Sequence, residues 1–204
     1  MVFNWFMSER NWGFKTKALH AGTQPDPQTG ARALPIYQSS AFVFENTEDA
    51  GNLFALQKYG NIYSRIGNPT VSAFEEKIAA LEGGIGAVAT SSGMAAQFLT
   101  FAALTGTGDH VVASSALYGG TLTQLDVTLR RFGVDTTFIK SDKAQDFAAA
   151  ITDKTKFIYA EMISNPACQI GDIEALAKVA HDAGLPLIID STVATPYLVR
   201  PMEY

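Results

Sequence analysis

The sequence predicts an α/β fold, with a mainly parallel sheet flanked by helices, on three observations. From about residue 85 onward, short β-rich runs alternate with helical patterns, as βαβ units do. Those runs are apolar without polar alternation, as strands covered on both faces are. The whole chain of 204 residues is 47% hydrophobic and 17% charged, which is enough apolar material for an ordinary globular core.

The expected strands are Ile85–Thr90, His110–Ala113, Val134–Ile139, Lys156–Ala160 and Pro186–Asp190. Helical patterns lie between them over Met94–Leu104, Leu122–Phe132, Ala144–Ile151 and Ile173–Ala183. The last has Asp172 as its N-cap and Gly184 just past its end. Residues 1–65 differ in kind. PDPQTGARALPIYQSSAF and YGNIYSRIGNPT are rich in Pro, Gly, Asn and Ser, so this part reads as an extended arm with one helix near Thr47–Gln57. An arm of that composition has little core of its own and must lie on something. Residues 66–204 then form the large domain.

A formal net charge of −5 with scattered basic residues gives no electrostatic footprint for nucleic acid. The aromatic opening is broken by Glu9, Arg10, Lys15 and Lys17, unlike a signal peptide, and no run reaches the ~20 apolar residues of a membrane span. A cytoplasmic protein is expected. The single cysteine, Cys168, excludes an internal disulfide and reads as a small buried hydrophobe. His20, His110 and His181 lack metal-ligand spacing, His181 belongs to a helix end, and no metal is assigned.

Four short stretches carry candidate chemistry. In Thr90-Ser91-Ser92-Gly93-Met94, an apolar run turns through hydroxyls and a glycine into an apolar helix. Free backbone N–H groups and the positive helix end meet there, a place for a phosphate or simply a helix cap. Tyr118-Gly119-Gly120-Thr121 follows the His110–Ala113 strand. At the carboxyl end of a parallel sheet, Tyr118 shares a crevice with Ser92, and its ring stacks on a planar ligand or packs the turn. Asn165, before Pro166, presents its amide at a fixed angle or marks a turn. Asp190 ends a strand too apolar to lie at the surface, and a carboxylate there needs a cation or several hydrogen bonds. A phosphate cradle, an aromatic platform, an amide and an acid suit a flat phosphorylated heterocycle with a basic ring nitrogen. Pyridoxal 5'-phosphate meets these requirements. A nicotinamide dinucleotide fits worse, because no GxGxxG follows a strand.

Taken in order, TKALHAG (16–22), YSRIGNPT (63–70), SSGMA (91–95), YGGT (118–121), SNP (164–166) and DSTVATP (190–196) resemble the front half of the Cys/Met-metabolism pyridoxal-phosphate enzymes, over nearly the whole chain. The resemblance implies fold type I, the aspartate-aminotransferase-like large domain. It implies that Gly93 and Met94, beside Ser92, give N–H groups to the phosphate, that Tyr118 stacks on the ring and assists proton transfer, and that Asp190 pairs with the ring nitrogen. Asn165 and Thr192 would lie near the ring substituents. Tyr63 and Arg65 would reach the phosphate of a neighbouring subunit, within a homotetramer built as a dimer of dimers. Ser191 and Val193 stand where many members have Asn and Phe.

Within the family, PDPQTGARALPIYQSSAFVF and LYGGTLTQLDVTLRRFG are most similar to the members that exchange the acetyl group of O-acetylhomoserine for sulfide or a thiol. Methionine γ-lyase and cystathionine γ-synthase or lyase activities are the alternatives. The family needs a lysine that bonds the cofactor and moves protons, and no lysine follows Lys178 here. The chain is therefore expected to be the N-terminal portion of an enzyme, inactive alone or completed by a second chain. The alternative of another class is a non-catalytic remnant that only binds cofactor or assembles.

Overall fold

A computed structural model describes residues 11–204, in which two compact units divide between Ala89 and Thr90. Residues 1–10 of the expected arm, with Glu9 and Arg10, lie outside the described residues.

In the first unit, α1 (Phe14–His20), α2 (Thr47–Phe54) and α3 (Pro69–Glu82) are joined by irregular chain. Asn46 caps α2 by accepting the Asp49 N–H at 2.8 Å. Asn68 caps α3 at Thr70 N, Pro69 occupies the first helical position, and Gly83 closes the helix in the left-handed region at φ 75°. The chain around Tyr63 is tied down by a single antiparallel bridge to Ala41 and by Ser64 N–H donating to Ser40 O at 2.9 Å. Gly22, at φ 70°, lets α1 and α3 meet, because a Cβ there would lie 2.3 Å from the Ala73 carbonyl oxygen.

The second unit opens with α4 (Gly93–Leu104), followed by β1 (His110–Ser114). A continuous helical stretch comes next, with α5 (Gly119–Thr123) running through a π-helical turn at Gln124–Thr128 into α6 (Leu129–Arg131). β2 (Asp135–Ile139), α7 (Ala144–Ala150), β3 (Thr155–Glu161), α8 (Ile173–Asp182), β4 (Leu187–Asp190) and α9 (Thr195–Leu198) complete it. The four strands are all parallel in the order β2-β1-β3-β4.

Period-two alternation decides which side each residue serves. Val111, Ala113, Phe157 and Tyr159 pack with Phe101 of α4 on one face, joined by Ile188. Val112, Ile158 and Ala160 pack with Phe147 of α7 and Leu176 of α8 on the other, joined by Leu187 and Ile189. Both faces of the central strands are thus covered, which is why their sequences run apolar without a break. Asp172 caps α8 by accepting the Ala175 N–H at 3.0 Å, and Gly184 follows it at φ 68°. His181 lies in the last turn of that helix.

Three local expectations need correction. Ile85–Thr90 is irregular, with a bend at Ile85, and joins no ladder among the described residues. Ile85 and Val88 are exposed, and the Ala89 N–H donates to Glu75 Oε1 instead. Apolar character marked a strand there, but a strand also requires a neighbour, which its own sequence does not specify. Cys168 is exposed at φ 53° in the turn after Asn165 rather than buried, since that turn sets its position. α1 and α3 are helices in addition to the one expected near Thr47–Gln57, and the Asn68-Pro69 start and the Gly83 stop mark α3. Among the described residues, no helix is long and apolar enough to cross a membrane.

Candidate active site

The carboxyl ends of parallel strands and the helix starts that follow them open on one side of a sheet. In the second unit this side holds a cavity of about 310 Å³. It is lined by Ser92, Gly93 and Met94 at the start of α4, Tyr118 after β1, Asn165 after β3, and Asp190 and Thr192 at the end of β4. Seven residues expected from the sequence to act together therefore share one concavity. Tyr63 and Arg65 belong to the first unit. There both are exposed, and the Arg65 guanidinium carbon lies 5.7 Å from the Tyr63 ring centroid.

Ser92 is the N-cap of α4, its hydroxyl accepting the Ala95 N–H at 3.1 Å. The Gly93 and Met94 N–H groups have no carbonyl one turn back within the helix, and the dipole of twelve residues points its positive end at the cavity. A Cβ built on Gly93 would meet nothing within 4 Å, so the side chain that is absent leaves space for a ligand to reach the backbone. Gly120 serves the opposite need, since a Cβ there would lie 2.5 Å from Tyr118 Cε1. The Tyr118 ring rests against that bare backbone and is about half exposed toward the cavity.

Asp190 is half-buried and held by three hydrogen bonds. Its Oδ1 accepts from Thr192 N at 2.9 Å and Thr192 Oγ1 at 2.5 Å, and its Oδ2 accepts from Gln97 Nε2 at 2.8 Å. Thr192, expected beside a ligand, therefore spends its hydroxyl on the acid. No Lys or Arg lines the cavity among the described residues, so Asp190 has several donors but no cation there.

Three residues of the site escaped the reading of the sequence. Gln97 lies one turn into α4, and its carbonyl oxygen accepts from Thr121 Oγ1 at 3.1 Å. Tyr159, almost wholly buried, has its phenol 3.0 Å from Gln97 Nε2. Burial, reinforced by the charges of Asp190 and Glu161, holds that phenol well above its ordinary range, so it stays protonated. Glu161, 7% exposed, accepts Tyr118 N at 2.6 Å on one oxygen and Asn165 N at 3.0 Å on the other. Burial pushes its carboxyl above the usual range. The two N–H groups oppose that rise, and the charge of Asp190 adds to it.

This donor set fits pyridoxal phosphate: an N–H cradle for an anion, a flat aromatic platform, and an acid with no cation beside it among the described residues. Known proteins give the same direction. A family model described as Cys/Met metabolism PLP-dependent enzyme matches residues 15–204. The chain is 54% identical over 192 residues to sulfhydrylase FUB7 of Fusarium oxysporum, and 51% identical over 193 residues to O-acetyl-L-homoserine sulfhydrylase of Corynebacterium glutamicum. Each alignment covers 94% of this chain but 44% of the relative, so the chain spans under half the length of these curated relatives. A crystal structure described as an O-acetylhomoserine (thiol)-lyase from Campylobacter jejuni, with N'-pyridoxyl-lysine-5'-monophosphate, matches with a TM-score of 0.91. It is 39% identical and covers 95% of this chain and 47% of that one.

Proposed function

Because the chain belongs to the Cys/Met-metabolism PLP-dependent enzymes, we propose that it supplies the cofactor-binding part of an enzyme of sulfur amino acid metabolism. That enzyme exchanges the acetyl group of O-acetyl-L-homoserine for sulfide or a thiol, giving homocysteine and acetate. The observation that carries the cofactor reading is the pairing, in one cavity, of a free helix N-terminus with an acid that has no cationic partner among the described residues. The choice of substrate rests on the sulfhydrylase relatives.

When bound, pyridoxal phosphate supplies an electron sink that labilises bonds at the α-carbon of an amino acid. Gly93 and Met94 N–H hold its phosphate, with Ser92 fixing the helix start. Tyr118 covers the ring and moves a proton at its phenolic oxygen. Asp190 keeps the ring nitrogen protonated, while Asn165 lies beside the ring substituents and Thr192 steadies the acid. Helix N–H groups alone are a modest counter to a phosphate dianion, and among the described residues no cationic side chain lines the cavity. That supports a contribution from Tyr63 and Arg65 of a neighbouring copy, in an assembly of two dimers. On this reading residues 1–65 are the arm that crosses to the neighbour and residues 66–204 the cofactor-binding domain, in a cytoplasmic enzyme acting on a small amino acid. No lysine lines the cavity among the described residues.

The test is homocysteine formation from O-acetylhomoserine and sulfide by a version extended to the length of its relatives, run against methionine and cystathionine. Faster turnover of methionine or cystathionine would overturn the substrate choice. Asp190→Ala should remove at least ~10²-fold in rate. Arg65→Ala should weaken cofactor retention about tenfold, and unchanged retention would end the cross-subunit reading.

A further inference from the structure

The acid of the site is itself held by a residue that no resemblance singled out. Gln97 projects from α4 one turn after Gly93, and every polar atom of its amide is engaged. Nε2 meets Asp190 Oδ2 at 2.8 Å and the Tyr159 phenol at 3.0 Å, while Oε1 accepts from Thr121 Oγ1 at 3.1 Å. The orientation of the amide is forced, because a carboxylate accepts only, so the nitrogen must face Asp190 and the oxygen must find its donor elsewhere. Thr121, fully buried at the start of α5, is that donor.

A carboxylate has about four acceptor positions, two on each oxygen. On Oδ1 both are taken by Thr192, and on Oδ2 Gln97 takes one. We propose that Gln97 is a positioning residue of the cofactor site: it aims Asp190 so that Oδ2 meets the protonated ring nitrogen. The inference rests on the cofactor reading above and goes beyond it by naming the oxygen and the side chain that orients it. Thr121 acts one step further back, by fixing which way the amide points. The same two contacts tie α4, which holds the phosphate, to β4 and α5, which hold the ring.

The experiment titrates pyridoxal phosphate into the protein extended to the length of its relatives, as wild type, Gln97→Leu, Gln97→Glu and Thr121→Val, following visible absorbance and circular dichroism of the bound cofactor. Unfolding of each cofactor-free chain checks that it is folded. Gln97→Leu should weaken binding about tenfold and change the dichroism at every pH. Gln97→Glu keeps the shape but sets a second carboxylate against Oδ2. It should bind at least about tenfold more weakly at pH 8 and recover on acidification, a pH dependence absent from wild type. Thr121→Val should cost about threefold. A purely packing role predicts wild-type binding by the isosteric Gln97→Glu, and that result, or wild-type binding and dichroism in Gln97→Leu, overturns the inference while the cofactor reading stands. Failure of the extended wild-type protein to take up pyridoxal phosphate overturns the cofactor reading itself, and this inference with it.

Discussion

The carboxylate of Glu161 bridges two loops of the candidate site, accepting the Tyr118 N–H at 2.6 Å on Oε1 and the Asn165 N–H at 3.0 Å on Oε2. One side chain at the end of β3 thereby sets the positions of both the aromatic platform and the amide. Two charge-assisted bonds at roughly 1.5 kcal/mol each are at stake. Glu161→Ala should lower the unfolding free energy by about 3 kcal/mol at pH 7 in urea titration. Glu161→Gln keeps one acceptor and turns an NH2 toward the other N–H, but it also relieves the buried charge. Its loss should be about half as large.

Gly120→Ala tests the seat of Tyr118. The added methyl carbon would sit 2.5 Å from the ring edge and 3.1 Å from Met94 Sδ, so the exposed ring must swing aside. Stability should change by less than ~1 kcal/mol, while pyridoxal-phosphate affinity falls about tenfold. Thermal unfolding and cofactor titration together separate the two effects.

Gly22→Ala tests the contact of α1 with α3. Its cost combines a left-handed backbone at φ 70° with a methyl placed 2.3 Å from a carbonyl oxygen, and backbone cannot swing aside as a ring does. A destabilisation of ~2 kcal/mol or more is expected. It should be visible as faster proteolysis within the first unit.

The His110 imidazole is buried between strands, with Nδ1 2.8 Å from Thr155 Oγ1 and Nε2 2.9 Å from Thr137 Oγ1. Burial lowers its pKa, against the opposing pull of Asp135. The unfolded chain then binds the proton more readily than the folded one. The His110 contribution is fully present above ~6.5, the unfolded value, and is lost as pH falls through the lower folded value. Urea midpoints should therefore decline on acidification below ~6.5 and decline less in His110→Gln, which keeps a hydrogen-bonding group without titrating there. Equal slopes for the two chains would exclude this role.

The strands that hold the site were legible because burial on both faces writes itself as uninterrupted apolar sequence, and Asp190 stood out as the acid that broke such a run. Glu161 breaks its strand in the same manner and could have been found by the same signal. Gln97 could not. It sits in a helix apolar nearly all round, and its significance comes from Thr121, Tyr159 and Asp190, the last 93 positions away. Ile85–Thr90 shows the converse limit, since residue preference marks an extended run but pairing is a property of the neighbour. Gly93 and Gly120 are identical in sequence terms, yet one leaves room for a ligand and the other for a tyrosine ring.

Glu161 and Asp190 are register partners on adjacent parallel strands. Since alternate residues of a strand point opposite ways, the direction of Asp190 is decided by where Ile188 and Ile189 are buried, on opposite faces of the sheet. A shift of β4 by one position would send both isoleucines to the wrong side and turn the acid away from its cavity. The hydrocarbon core thus acts as a selector for charge placement: any reshaping of this site that repacks Ile188 or Ile189 also re-aims the Asp190 carboxylate, without touching a polar atom.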